Sequence, residues 1–491
     1  MILAIDQGTT GTTCLVFDSD GELAGRGYRE FSQSFPRPGW VEHDAEEIWQ
    51  VTRAVAGVAL ADAGIARGEL EAVGITNQRE TIVVWDPSTG RPLHPALVWQ
   101  DRRTADRCQA LRAAGHEALV RERTGLVLDP YFSATKIEWL LAHVDGLGQR
   151  VRDGRAVFGT IDAWLVFKLT GELSTDPSNA SRTLLYDIVR GVWDPELLDL
   201  FGVPESALPE VRPSIGPRGR SRPDALHGHQ VEVCGVAGDQ QAALFGQACL
   251  DPGMGKNTYG TGSFVLVNAG SRPPPPAPGL LTTVAWGIGD RLLYAVEATI
   301  FVTGAAVQWL RDGLGLIGAA SETEALAASL HSNDGVYFVP ALTGLGSPHW
   351  DPHARGTIVG LTRGSGRAHL ARAALEAMAY QTLDAVRAIE DAADARLPEL
   401  RVDGGASVNR WLMQFQADIL GVPVVVPEVS ETTAAGAASL ARVGAGLGTL
   451  DRVRTGWRER DRYHPAMDPD LRAELVAGWH DALGRATPGR G

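Results

Sequence analysis

The sequence predicts an α/β fold with mixed sheets, divided into two lobes. Strand-like and helix-like patterns alternate along the chain, which is typical of this fold class. A strand–turn–strand unit with a Gly-Thr turn lies at 2–17, and a second unit of the same kind lies at 256–267. Either turn alone could recur by chance in a glycine-rich chain. Together, half a chain apart, they predict lobes at 1–247 and 248–491.

One helix in the first lobe is predicted by its apolar spacing. Residues 45–63 place apolar side chains three and four positions apart, as on one face of an α-helix. This face carries Ile48, Val51, Val55 and Val58.

Short apolar runs and polar stretches predict strands and loops. The runs at 73–76 and 81–85 indicate strands. The segment 214–229 is rich in Gly, Pro, Arg and His and is interpreted as an exposed loop, and 273–276 as a stiff surface loop of prolines.

Composition excludes several classes of protein. The chain has 491 residues, which is long enough for two or three domains with real cores. Its net charge of -14 argues against a nucleic-acid binder. No apolar stretch predicts membrane insertion, and no signal peptide is evident. Its four cysteines are scattered, which favours free thiols over a zinc site. We therefore expect a cytoplasmic location.

The two Gly-Thr turns are candidates for binding phosphate. The sequence contains neither a Walker A motif nor the glycine-rich loop of protein kinases. Glycine allows the backbone to approach a ligand closely, and threonine adds a hydroxyl donor. The contacts to phosphate are therefore expected from turns such as 6–10 and 260–262.

Asp239 is a candidate general base. It follows an apolar strand that ends in Gly238, and a helix is predicted to start at Gln240 or Gln241. A carboxylate at this position, at the edge of a cleft, suits proton removal from a hydroxyl. The pattern by itself favours a helix N-cap over a base, because aspartate is common at that position.

Three further segments carry polar or aromatic candidates. The turn 77–80 lies between two strands and offers the Arg79 guanidinium beside the Glu80 carboxylate, although this segment taken alone favours a solvated turn with an ion pair. A strand runs into a double glycine at 402–407, where a helix is predicted to open at 407–409; a plain tight turn is the alternative. Tyr131 follows Asp-Pro in a turn and is expected to face a cleft.

Taken in order along the chain, these segments resemble the FGGY carbohydrate kinase family. The similarity covers nearly the whole chain, and the ordered set is far more specific than any single motif. Two longer signatures of the family also fit, at 131–143 and 356–376. The short segments are 6–10, 38–44, 74–81, 98–100, 129–133, 237–241, 256–262 and 402–405.

The resemblance implies a fold and an activity. The expected fold is a pair of actin-like (ribonuclease H-like) lobes with mixed sheets flanked by helices and an active site in the cleft between them. The expected activity is ATP-dependent phosphorylation of glycerol to sn-glycerol 3-phosphate, the first step of glycerol utilisation. ATP and Mg²⁺ are the implied cofactors. The glycerol assignment depends chiefly on the 77–80 turn, because pentulose kinases of the family tend to carry a different polar turn.

The resemblance also implies roles for individual residues. Asp239 would remove the proton from the terminal hydroxyl, and Asp6 and Asp239 would act around the magnesium ion. The implied polyol-binding residues are Arg79, Glu80, Tyr131, Asp239 and Gln240. The implied nucleotide-binding residues are Thr9, Thr10, Gly11, Thr13, Thr261, Gly304, Gln308, Gly405 and Asn409.

The chain departs from the family pattern in the first turn. Gly11, Thr12 and Thr13 follow the Thr-Thr pair, and Thr13 stands where an arginine that reaches the nucleotide phosphates is expected. This predicts the loss of a charge-assisted phosphate contact. The segment 214–229 does not resemble the sugar-bisphosphate regulatory loop of some bacterial members, and the histidine phosphorylation site of others is not evident.

Two other functions remain open at this stage. Another kinase of the family could act on a pentulose or pentitol, which a substrate panel distinguishes. An actin-like ATPase that works as a switch or filament subunit would turn over ATP without any polyol. The resemblance also implies a homodimer or homotetramer.

Overall fold

Each lobe is built on a mixed β-sheet flanked by helices. The computed structural model describes residues 1–66, 68–393 and 396–487. The strands of the first lobe are β1 Ile2–Gln7, β2 Gly11–Phe17, β3 Leu23–Glu30, β4 Gln33–Ser34, β5 Glu42–His43, β6 Ala72–Asn77, β7 Ile82–Asp86, β8 Arg91–Pro92, β9 Ala96–Leu97, β10 Val157–Thr160, β11 Ser174–Thr175, β12 Tyr186–Asp187, β13 Val192–Trp193, β14 Glu210–Val211 and β15 Glu232–Gly238. Those of the second are β16 Gly255–Tyr259, β17 Ser263–Gly270, β18 Leu281–Ile288, β19 Arg291–Ile300, β20 Tyr337–Val339, β21 Thr357–Val359, β22 Leu400–Gly404, β23 Val424–Pro427 and β24 Glu459–Tyr463.

Helices cover the faces of the sheets. The α-helices of the first lobe are α1 Ala45–Asp62, α2 Ala105–Ala113, α3 Glu117–Thr124, α4 Ala134–His143, α5 Leu147–Arg152, α6 Ile161–Thr170, α7 Pro177–Ala180, α8 Pro195–Phe201 and α9 Asp239–Gly246. Those of the second are α10 Gly304–Gln308, α11 Glu322–Ala328, α12 Arg367–Ala393, α13 Arg410–Leu420, α14 Thr432–Gly444, α15 Leu450–Gly456 and α16 Pro469–Ala486. No described helix is long and apolar enough to span a bilayer.

The two central sheets share one strand arrangement. The first has the order β15-β6-β1-β2-β3, and the second contains β23-β22-β16-β17-β19 with β18 and β24 at its edges. In each sheet the first hairpin is antiparallel and its first strand is also parallel to a later strand, β1 to β6 and β16 to β22. The predicted two-lobed α/β fold with mixed sheets is therefore confirmed, and both predicted hairpins form.

Helix α1 forms where its apolar spacing predicts it. Asp44 caps the helix, since its carboxylate accepts hydrogen bonds from the N–H groups of Glu46 and Glu47. Val58 was expected on the buried side, but its side chain is 56% exposed. It lies at the margin of the apolar stripe, and Ala59 takes the buried position instead.

The prediction of an exposed loop at 214–229 is wrong for much of that segment. Ser214 and Arg218 are fully buried. The Arg218 guanidinium donates to the carbonyl oxygens of Thr175, Arg212 and Pro213. The hydroxyl of Ser214 donates to the Asp176 carboxylate, so these buried polar side chains are tolerated because carboxylate and backbone oxygens accept their hydrogen bonds.

Helix α14 connects the two halves of the chain. It lies late in the sequence, yet it packs against β1, β6 and β15 of the first sheet and against α9. Small side chains on this helix, such as Ala434 and Ala437, meet Ile2 and Ala4 of β1 in one buried cluster. This packing brings the end of β1, the start of α9 and the start of α14 together.

Candidate active site

The predicted site residues converge at one edge of the first sheet. Strands β15, β6 and β1 are parallel, so their carboxyl ends lie side by side. These ends carry Asp6, the 77–80 turn and Asp239. The second lobe adds residues of β16 and β19 from the opposite side, as the contacts below show.

Asp239 is the first residue of α9, and its carboxylate is partly open to solvent. The helix begins at Asp239, with Gly238 as the N-cap, so the predicted helix start at Gln240 or Gln241 and the N-cap alternative are both wrong. The side chain is 31% exposed. Its Oδ1 accepts a hydrogen bond from the N–H of Gln240 at 2.7 Å and lies 3.2 Å from Nε of Arg79. The carboxylate is thus held in place while remaining accessible.

Arg79 is the centre of a buried charge network. Its Nη1 donates to Oε2 of Glu297 at 2.6 Å, and its Nη2 donates to Oε1 of the same carboxylate at 3.2 Å. Arg182 also donates to Glu297, at 3.1 Å. Burial raises the pKa of Glu297, but the Arg182 and Arg79 guanidiniums outweigh burial and hold the pKa at about 2. Glu297 is therefore ionised, and its ion pairs with Arg79 and Arg182 join the second lobe to the first.

Glu80 occupies an unusual backbone conformation beside Arg79. Its φ of 63° lies in the left-handed region, which non-glycine residues rarely adopt and which is often seen at functional sites. The Ser133 hydroxyl donates to its carbonyl oxygen at 2.8 Å, and Nε of Arg182 donates to its carboxylate at 2.5 Å. These contacts stabilise the strained turn and fix the carboxylate next to the Arg79 side chain.

Tyr131 forms part of an aromatic wall beside this network. Its ring packs edge-on against Trp99 at 5.5 Å between centroids, and the Arg182 guanidinium lies 5.5 Å from the ring centre. The indole N–H of Trp99 donates to the hydroxyl of Thr9 at 2.9 Å. The aromatic wall is therefore joined directly to the first Gly-Thr turn.

Gln240 is held by a lysine from the second lobe. Lys256 on β16 donates to Oε1 of Gln240 at 2.5 Å and to the hydroxyl of Thr258 at 2.8 Å. Burial lowers the pKa of Lys256 to about 8, while the Asp403 and Asp239 carboxylates oppose this shift. A second buried cation thus lies close to Asp239.

The first Gly-Thr turn connects β1 and β2. Gly8 donates its N–H to the carbonyl of Gly11 at 2.9 Å, which closes the turn and leaves Thr10 exposed at its tip. Thr9 is half-buried, through its contact with Trp99, and Gly11 is buried. Thr13 pairs with Asp6 across the hairpin, so the two side chains share one face of the sheet.

Asp6 lies in an acidic environment. Burial, the Asp239 carboxylate and the Glu431 carboxylate together raise the pKa of Asp6 to about 7. Among the described residues, no three His, Cys, Asp or Glu side chains converge as a complete metal cage. The two neighbouring carboxylates Asp6 and Asp239 suit a cation that takes its other ligands from water and phosphate.

The second Gly-Thr turn lies against the start of α10. Gly304 donates its N–H to the carbonyl of Gly260 at 3.1 Å, and a Cβ at position 304 would collide with that carbonyl oxygen. Glycine is therefore required for this close approach. Thr261 in the turn and Gln308, one helical turn beyond Gly304, are both exposed.

The double glycine after β22 leads into a short 3₁₀ turn. Gly404 has a φ of 86°, and a Cβ there would collide with the carbonyl of Tyr259, whereas the space beside Gly405 is open. The helix predicted to open at 407–409 forms, but it begins one residue later, with α13 at Arg410, because the 3₁₀ turn occupies Gly405–Val408. The Asn409 side chain accepts from the N–H of Leu412 at 2.9 Å and so caps α13.

Sequence reasoning missed three buried charged residues of the site. Arg182 and Glu297 lie in no recognisable motif, so nothing local identified them. Lys256 offered a weak signal, because it is one of few lysines in an arginine-rich chain and adjoins the second Gly-Thr turn.

Comparison with known proteins identifies the family. The N-terminal domain of the FGGY family of carbohydrate kinases matches residues 1–246, and its C-terminal domain matches residues 255–445. A glycerol kinase of Citrifermentans bemidjiense is 55% identical over 485 residues, which is 98% of both chains. A glycerol kinase of Deinococcus radiodurans is 54% identical over 488 residues, 99% of this chain and 97% of that one.

A solved structure agrees with this result. The crystal structure of Plasmodium falciparum glycerol kinase with ADP superposes with a TM-score of 0.94 at 35% sequence identity, covering 99% of this chain and 98% of that one. The likeness extends over both lobes and the cleft between them. This chain belongs to the FGGY family of carbohydrate kinases.

Proposed function

We propose that the protein transfers the γ-phosphate of ATP to a terminal hydroxyl of glycerol, giving sn-glycerol 3-phosphate. The observation that carries this proposal is the partly open Asp239 carboxylate, held beside Arg79 and Gln240 at the cleft. Full-length similarity to glycerol kinases supports the same substrate.

The polyol would bind against the aromatic wall and the charge network. Arg79 and Gln240 offer donors, Glu80 offers acceptor oxygens, and Tyr131 supplies an apolar face for the carbon chain. Glu80 and Tyr131 are fixed by Arg182, which contacts both side chains. A site of fixed donors and acceptors discriminates strongly, because a missing hydroxyl leaves a buried partner unpaired.

Asp239 would act as the general base. One of its carboxylate oxygens takes the proton of the attacking hydroxyl as that oxygen bonds to the γ-phosphorus. The bond from this phosphorus to the β–γ bridging oxygen breaks, and ADP leaves with the electron pair. Exposure of the carboxylate on one side and its contact with Arg79 on the other support this role.

The nucleotide would lie between the two Gly-Thr turns and the double glycine. A homologue bound to ADP supports the use of ATP. Turn N–H groups and threonine hydroxyls suit phosphate oxygens. The residues proposed for this role are Thr9, Thr10, Gly11, Thr13, Thr261, Gly304, Gln308, Gly405 and Asn409.

Mg²⁺ is proposed as the metal of the reaction. Asp6 and Asp239 would hold it, directly or through water, and it would neutralise charge on the phosphates. Burial raises the pKa of Asp6 most, and repulsion from the Asp239 and Glu431 carboxylates raises it further. A cation at this position would relieve that repulsion.

The decisive experiment is an ADP-release assay with Mg²⁺ and ATP, with and without glycerol. The wild-type protein should release ADP only when glycerol is present. Asp239→Asn should lower kcat by about a hundredfold or more, as for a lost general base. Asp106→Asn, which removes a carboxylate from the first turn of α2, is the matched control and should retain normal activity. Near-normal kcat in Asp239→Asn would contradict the proposal.

The same assay separates the alternative functions. A pentulose or pentitol that outperforms glycerol in kcat/KM would indicate another sugar kinase of the family. ADP release without any polyol would indicate a switch-type ATPase.

The oligomeric state, the cellular location and the ligand that each lobe binds are also proposals. A homodimer or homotetramer is testable by light scattering after size-exclusion chromatography. All four cysteines are buried and free, which supports a reducing, cytoplasmic location. The repeated sheet arrangement supports a polyol-binding lobe at 1–247 and a nucleotide-binding lobe at 248–491.

A further inference from the structure

One face of the first hairpin lies beside the proposed phosphate site. On this face Thr13 stands where an arginine was expected, so this position carries no positive charge. Asp6, Thr13 and Tyr28 are directly paired across β1, β2 and β3, so their side chains point to the same side of the sheet. The next row on this face ends in Arg26, which pairs with Leu15. The row of Asp6, Thr13 and Tyr28 contains no arginine. Arg26 in the next row is therefore the arginine of this face that lies nearest to the first Gly-Thr turn.

The surroundings of this face are strongly acidic. The Asp239 and Glu431 carboxylates both interact electrostatically with the Asp6 carboxylate. A nucleotide triphosphate would add further negative charge, and charge-assisted donors to phosphate would offset it. The buried cations nearby are already engaged, Arg79 with Glu297 and Lys256 with Gln240.

Arg26 is held in a way that allows it to change partners. Its Nη2 lies 3.1 Å from Oε1 of Glu431, and the two side chains are 54% and 39% exposed. Exposed ion pairs of this kind contribute little to stability, so exchanging the partner costs little. The backbone of Arg26 is anchored separately, because its N–H donates to Asp62 at 2.9 Å.

We propose that Arg26 binds the phosphates of the nucleotide, leaving Glu431 when ATP enters and supplying from β3 the charge that Thr13 does not supply from β2. This inference rests on the proposed function, because it names a further residue of the same ATP site. Guanidinium–phosphate contacts are strong and geometrically specific, so one such residue affects nucleotide binding measurably.

The first test is the kinetics of Arg26→Gln. The apparent KM for ATP should rise about tenfold or more, in line with the loss of a hydrogen bond to a charged group. The KM for glycerol should stay within about twofold, since the polyol wall is separate. Arg29→Gln is the matched control, because Arg29 is an exposed arginine of the same strand that pairs with Thr12 on the opposite face. It should leave the KM for ATP unchanged.

The second test distinguishes phosphate binding from a mere link between lobes. Glu431→Gln removes the same ion pair but also removes negative charge and frees the guanidinium. Under the proposal this variant binds ATP as tightly as wild type or more tightly, opposite to Arg26→Gln. If both variants weaken ATP binding equally, the ion pair is structural and the proposal is overturned.

Direct binding measurements complete the design. Calorimetric titration of wild type and Arg26→Gln with ATP, ADP and adenosine, without glycerol, should show an affinity loss that is largest for ATP and absent for adenosine. Adding Thr13→Arg to Arg26→Gln should restore ATP binding. Equal losses for all three ligands, or none, would overturn the inference. Absence of glycerol-dependent ADP release in the wild type would instead overturn the proposed function.

Discussion

At the scale of single residues, the site depends on charges that are buried and paired. Glu297 is fully buried and receives hydrogen bonds from Arg79 and Arg182. Arg182 also binds Glu80, so the two arginines and two carboxylates form one network. Removing one member would leave a buried charge without its partner, which is far more destabilising than losing a surface ion pair.

Glu297→Gln should therefore destabilise the protein and weaken glycerol binding. We expect the free energy of unfolding at pH 7 to fall by about 3–5 kcal/mol and the KM for glycerol to rise, because Arg79 loses its anchor. Urea unfolding and steady-state kinetics measure the two effects. Glu459→Gln, which breaks the exposed pair with Arg462, is the control and should change stability by less than about 1 kcal/mol. A similar small change in Glu297→Gln would contradict the network.

The same residue predicts a pH dependence. The folded pKa of Glu297, about 2, is below its usual value of 4.5. The stability that its ionisation contributes is therefore fully present above pH 4.5 and is lost as the pH falls towards 2. This contribution is about 3 kcal/mol. Glu297→Gln should show a correspondingly shallower loss of stability over this range, and an unchanged slope would argue against the paired carboxylate.

At the scale of elements, the position of Asp239 depends on how α9 meets α14. The two helices cross where Gly436 of α14 faces Ala242 and Gly246 of α9. A Cβ at position 436 would collide with the carbonyl oxygen of Ala242. Close approach of the two backbones thus sets where α9 begins and where the Asp239 carboxylate lies.

Gly436→Ala should separate these helices. We expect a loss of stability of about 1–3 kcal/mol, as for overpacking, together with reduced kcat because Asp239 moves. Gly484→Ala in α16 is the matched control, since nothing lies within 4 Å of its added Cβ. That substitution should be neutral or stabilising by up to about 1 kcal/mol. Equal effects of the two substitutions, measured by thermal unfolding and the ADP-release assay, would refute the argument.

At the scale of the whole molecule, contacts from both lobes meet at the proposed polyol site. Arg79 of the first lobe is bound to Glu297 of the second, and Gln240 is bound to Lys256. Arg442 of α14 also donates to the carbonyl oxygens of Asp18 and Ser19 in the first lobe. A ligand that binds these residues should therefore stabilise the molecule as a unit.

Glycerol should stabilise the protein against unfolding more than an equal concentration of another polyol does. At a hundred times its Kd, glycerol would add about 2.7 kcal/mol to the free energy of unfolding. The measurement is a thermal melt with increasing glycerol at constant protein concentration. An equal concentration of a pentitol is the control for general polyol effects. The same stabilisation by both polyols would argue against a dedicated glycerol site.

The sequence by itself determined the local parts of this protein. Both hairpins, helix α1, the strand that ends just before Asp239 and the 77–80 turn follow from short apolar runs, helical apolar spacing and Gly-Thr turns. These signals are local because backbone preferences and hydrophobic spacing act over a few residues. The ordered motifs also identified the family correctly.

Only the tertiary structure decided which charges are paired. Arg79 and Glu297 are 218 residues apart in sequence, and Arg182 and Glu80 are 102 apart, so no local pattern links them. The same applies to Arg218, which is buried because distant carbonyls accept its hydrogen bonds, in a segment whose composition predicts exposure. Burial and long-range hydrogen bonding arise only when the chain is packed. They hold these polar side chains in fixed positions around the site.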